Sequence, residues 1–138
     1  MHSLMRRVAA VALAGFGLIH LYQAPGDYDE HRWLGIGFVL GGLFALGAAV
    51  LLLARSADRL WASAAAVSGA FFVGFLLTRT IGLFGVSEPG NWERLGIVSL
   101  LFEAGVIALY AIGRRTAGGA ETGYREVMAR SRAEVSVS

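Results

Sequence analysis

Two ionisable residues stand inside stretches that are otherwise apolar, Arg79 and Glu103. A charge at the centre of a bilayer costs about 2.5–3.5 kcal/mol on insertion scales, so such residues are rare and call for a partner or a role. Counting 1.5 Å per helical residue, Arg79 lies ~5 Å below the end of its apolar run and Glu103 ~11 Å below the start of its own. An arginine side chain can bridge that difference, so an Arg79–Glu103 ion pair between two helices is expected. Such a pair could fix helix register and do nothing else.

His20 belongs to the same depth. It closes the segment Gly15-Phe16-Gly17-Leu18-Ile19-His20-Leu21-Tyr22, about one turn below the membrane surface. Glu30 and His31 sit just beyond it, and Glu88 lies in the other loop on that side. His20, Glu30, His31, Arg79, Glu88 and Glu103 therefore form a candidate ligand-binding cluster in one half of the protein. The other half holds no ionisable residue within a span.

Several chemistries fit. Imidazole and carboxylate ligands from His20, His31 and Glu103 could hold a divalent metal ion. Glu30 and His31 cannot both point into one site on a helix, since neighbours diverge by about 100°. There is no HxxxH or HExxH spacing, and haem fits less well, because His20 and His31 are too close in sequence to face each other across the ring. A carboxylate beside a guanidinium within a span also occurs in proton relays. No nucleophile–base arrangement stands out, which favours a non-enzymatic role. With no cysteine, thiolate metal sites, cysteine nucleophiles and disulfides are excluded.

The elements that must carry these residues are four apolar blocks, about 8–22, 33–54, 61–84 and 93–113. At 56% hydrophobic residues and a mean hydropathy of +0.60 the chain exceeds a soluble average, and the excess is segregated. A span needs about 20 residues, and in hydrocarbon every backbone group needs an internal partner, so four helices follow. The apolar start resembles a signal peptide, but Tyr22-Gln23-Ala24-Pro25-Gly26 offers no convincing cleavage site, so it is read as a retained first helix. Pro25-Gly26 is expected to end that helix, with Asn91 capping the fourth.

All twelve basic residues are arginine. Arg6, Arg7, Arg55, Arg59, Arg114 and Arg115 flank one side of the blocks; Arg32 and Arg94 flank the other, among Asp27, Asp29, Glu30, Glu88 and Glu93. The arginine-rich side should be cytoplasmic. The expected fold is all-α, an antiparallel four-transmembrane-helix bundle with both termini cytoplasmic. Trp33, Trp61 and Trp92 fall at block ends, as interfacial anchors do. Ser56 and Asp58 imply a short loop and a tight hairpin of the second and third helices. Ala117-Gly118-Gly119-Ala120 should break the fourth helix, leaving 116–138 as a polar, mobile cytoplasmic tail. The expected partners are membrane lipids. Gly37 and Gly41 make a GxxxG step that could serve a homodimer or docking into a larger membrane complex. Arginines at block ends, with no continuous basic face, argue against nucleic acid.

The arrangement His20-Leu21, Pro25, Glu30-His31, Gly35, Gly41, then Thr78-Arg79-Thr80-Ile81-Gly82-Leu83 and a carboxylate in the last helix, resembles a group of uncharacterised small four-helix bacterial membrane proteins. The plan is also loosely similar to DoxX-like proteins. The likeness covers most of residues 8–113 and implies a fold and a membrane location, with no activity to carry over. Arginine without lysine and abundant alanine and glycine suggest a high-GC bacterial source, hence a multi-pass protein of the bacterial cytoplasmic membrane. Two roles are expected: binding an ion or small polar ligand, or supporting a redox or transport partner, at the cluster; alternatively, a structural accessory subunit.

Overall fold

The computed structural model describes residues 3–54 and 58–137. Four helices follow in order: α1 Ser3–Glu30, α2 Arg32–Ala54, α3 Asp58–Thr80 and α4 Arg94–Val137. Each contains a stretch long and apolar enough to cross a membrane: Leu4–Glu30, Arg32–Ala54, Asp58–Thr80 and Arg94–Thr116. The side chains are sorted for lipid. Leu18, Leu40, Leu43, Val50, Leu53 and Leu101 point outward, whereas the core is built largely of alanine around Leu13, Phe16, Leu52, Trp61 and Val106. Small residues inside and large aliphatic ones outside is how helices pack when lipid, not water, surrounds them.

Glycine permits the closest approach. A Cβ built on Gly17 would lie 2.8 Å from the Gly42 carbonyl oxygen, and one on Gly42 would lie 2.9 Å from that of Gly17. The backbones of α1 and α2 thus meet directly, and this is the most extensive helix–helix contact, far more so than that between α2 and α3. A tight α2–α3 hairpin is therefore not what organises the bundle; Ser56 itself lies outside the described residues. Of the GxxxG pair, Gly41 is filled within the chain by the Phe71 ring, and Gly37 faces open space.

Three expected boundaries move. α1 does not stop at Pro25-Gly26: the proline lies inside the helix, which ends at Glu30. A proline forfeits one backbone hydrogen bond, and the chain regains order at once, with His31 N–H donating to Asp27 O at 2.7 Å and His31 O accepting from Leu34 and Gly35. One residue thus separates α1 from α2. Likewise α4 runs through Ala117–Ala120 to Val137. Once a span has nucleated a helix, each glycine costs only ~1 kcal/mol and helix-forming neighbours offset it. Finally, Asn91 does not cap α4. Its side chain donates to Glu88 Oε2 at 2.9 Å, and the first α4 turn closes on the Glu93 carbonyl, which accepts from Ile97 at 3.0 Å.

The α3–α4 connection is ordered by its own backbone. Gly82, at φ +88°, ends α3 by donating to Leu77 O at 2.8 Å. Leu83 and Val86 exchange hydrogen bonds of 2.8 and 2.9 Å around Phe84 (φ +46°) and Gly85 (φ +86°). Two left-handed central residues make a type I′ turn, at a cost for Phe84 of ~1–2 kcal/mol. Val86 is buried beneath the turn, and the exposed Phe84 ring meets Trp33 edge-on at 5.8 Å. Trp33 and Trp92 are exposed as anchors should be, but Trp61 is buried, because it packs against Tyr110 of α4 at 6.2 Å.

Candidate functional site

Where the α1–α2 junction meets the α3–α4 connection, the bundle opens into a cavity of about 230 Å³. Its floor is polar and buried. Glu103 is 2% exposed and His20 4%. Ser99 lies one turn before Glu103 on the same face of α4 and donates to Glu103 Oε1 at 2.8 Å. His20 Nε2 comes from α1 to within 3.8 Å of the same oxygen. Its Nδ1 lies 3.0 Å from Phe16 O and 3.4 Å from Ser99 Oγ. An Nδ1–H donated to Phe16 O presents Nε2 to Glu103. Three rings hold the imidazole edge-on, Phe16 at 4.4 Å and Phe38 and Phe71 at 4.6 Å each. The second carboxylate oxygen of Glu103, Oε2, is buried without a hydrogen-bond partner among the described residues.

The mouth is built differently. Arg79 Nη1 pairs with Glu88, Nη2 lies 3.6 Å from Glu93, and the guanidinium stacks 4.9 Å above the Phe75 ring. The loop is pinned beside it, with Glu88 N–H donating to Thr78 O at 2.9 Å and Gly90 N–H to Arg79 O at 3.3 Å. These bonds satisfy carbonyls that the end of α3 would otherwise leave open. Thr78 and Thr80 donate back to Phe75 O and Leu76 O, at 2.8 and 2.7 Å.

The expected Arg79–Glu103 pair is therefore replaced by two separate arrangements. Arg79, one turn from the end of α3, reaches outward to loop carboxylates, as long cationic side chains do. Glu103, deeper, is met by His20 and Ser99 instead. Of the expected cluster, His20, Arg79, Glu88 and Glu103 line the cavity; Glu30 and His31 do not. Glu30 is exposed, and the backbone of His31 forms the α1–α2 junction. The metal set of His20, His31 and Glu103 is thus not assembled, and no group of three or more such ligands is placed to hold a metal ion among the described residues.

Ser99, Gln23 and Asp27 are site residues that reading the sequence missed. Ser99 and Glu103 are spaced i, i+4, a signal that was present. Gln23 and Asp27 lie three and seven residues after His20 and share its helix face, but only if the helix passes through Pro25. Asp27 lines the cavity, and Gln23 Nε2 lies 3.5 Å from Glu93 Oε2.

Four spans enclosing a largely apolar cavity with a polar floor near one end define a small multi-pass membrane protein. No family model, curated protein or solved structure matches the chain.

Proposed function

We propose that this protein binds a small polar ligand in the cavity between its helices, from the non-cytoplasmic side of a bacterial inner membrane. One observation carries the reading. Glu103 is buried beside His20 at the foot of an open cavity, with one carboxylate oxygen left without a partner. A buried acceptor normally finds a donor, and a ligand would supply one. Packing alone does not call for a carboxylate here, since apolar residues hold a bundle at least as well.

Gly74 offers the test. It lines the cavity, and a Cβ there would meet only Leu83 Cδ2, at 3.9 Å. Gly74→Phe should fill the cavity while leaving the bundle folded. A thermal-shift screen of small cations, neutral polar molecules and anions on the detergent-solubilised protein should give stabilising compounds that lose their effect on Gly74→Phe. A binder at 100 times its Kd adds about 2.7 kcal/mol, well within reach of the assay. No stabilising compound from any class, or equal shifts in the variant, would end this reading.

The proposed orientation has antiparallel helices and both termini cytoplasmic, supported by the arginine bias across the spans. The absence of native cysteine makes it directly testable. In intact spheroplasts a membrane-impermeant maleimide should label Ser87→Cys, and should label Thr116→Cys only after lysis. The reverse pattern would invert the protein. A loose kinship with DoxX-like proteins, suggested by the four-helix plan, is part of the same proposal.

A further inference from the structure

We infer that the ligand is a small organic cation bearing at least one N–H, a protonated amine. This rests on the cavity being a binding site and names what it selects. The lining carries four carboxylates, Asp27, Glu88, Glu93 and Glu103, against one guanidinium, that of Arg79. Arg79 is engaged by Glu88 and Glu93, while Asp27 and Glu103 form no ion pair with an arginine among the described residues. The cavity therefore holds more carboxyl groups than cations to pair with them, Asp27 toward the mouth and Glu103, beside His20, at the floor.

The second observation concerns hydrogen bonding. Glu103 Oε2 is a buried acceptor lacking a donor, which an ammonium N–H would supply as a strong charge-assisted hydrogen bond. An anion would meet that oxygen with repulsion, and a bare metal ion would find too few ligands around it. The walls add a third element. Trp33, Phe38, Phe71 and Phe75 line the cavity, and the Phe75 ring already carries a cation 4.9 Å from its centroid. Aromatic walls above a carboxylate suit an organic cation, whose apolar part displaces water while its charge meets the ring faces.

Three probes of nearly equal size decide the matter: benzylammonium, benzyl alcohol and benzoate, titrated calorimetrically at pH 7 into the full chain in detergent. Benzylammonium should bind about tenfold or more tighter than benzyl alcohol, with no binding of benzoate. Glu103→Gln should lose the benzylammonium preference while keeping its affinity for benzyl alcohol, which also reports that the variant is folded. The ordering on the unmutated protein stands as a test even if the variant does not fold. Tightest binding of benzyl alcohol or benzoate would overturn the cation while leaving a binding cavity. Silence from all three, with stabilising compounds still found in the screen above, would likewise overturn the cation alone. Silence in both experiments would remove the binding site as well.

Discussion

Replacing Gly35 with alanine should unseat the corner between α1 and α2, at a cost of about 3 kcal/mol. A Cβ at that position would lie 2.5 Å from Tyr28 Cα and 2.6 Å from Tyr28 N. Both are backbone atoms of the preceding helix, so no side chain can turn aside to make room. Only one residue joins the two helices, so the strain cannot dissipate along a loop. The corner also positions Asp27, one residue before Tyr28, at the cavity mouth. Gly35→Ala should therefore lower the melting temperature in detergent and weaken ligand binding together. Gly47→Ala is the control: nothing lies within 4 Å of its Cβ, and alanine is the better helix former by roughly 1 kcal/mol, so it should match or exceed the wild type. Equal melting of Gly35→Ala and Gly47→Ala would mean that the junction is not the tight contact described.

The second large effect is expected at Arg79. Its side chain is 10% exposed, against 31% for Glu88 and 45% for Glu93. Arg79→Met would leave two carboxylates facing each other without their cation and remove the stack on Phe75. Losing one partner of a fully buried pair costs about 3–5 kcal/mol. Solvent reaches both glutamates, which reduces this to about 2 kcal/mol. The backbone bonds from Glu88 and Gly90 to the end of α3 remain, so the loop should loosen without unfolding. Hydrogen exchange at Val86 to Gly90 should quicken. Arg79→Met/Glu88→Met should recover part of the loss, because the repulsion goes with the second carboxylate. If the double variant is less stable than the two single losses added together, the pair is not what holds the mouth.

Much of this architecture is legible from residue order. Four helices follow from the apolar blocks, and the small residues of the core follow from the alanine and glycine within them. The polar cluster is only partly legible. His20 and Glu103 could be matched in depth, and they do meet. Matching Arg79 to Glu103 by depth fails because depth along a helix does not say which way a long side chain turns. The i, i+4 spacing of Ser99 and Glu103 was visible, and so was the face shared by His20, Gln23 and Asp27. That face was hidden by reading Pro25 as a terminus, a rule of local propensity that the packing of α1 on α2 overrides. Trp61 shows the same limit: its place at a block end suggested the interface, and Tyr110 across the bundle makes it part of the core.

The interlocked glycines have a mechanical corollary. Gly17 and Gly42 leave no room for a side chain between the two backbones, and α1 and α2 share the most extensive contact in the bundle. The α1–α2 pair should behave as a single rigid plate. Helix α3 meets α2 more sparingly, through the Phe71 ring seated on Gly41, and it also supplies Phe75 and Arg79. Any widening or narrowing of the cavity should therefore come from tilt of α3 against a fixed wall, carrying the guanidinium with it.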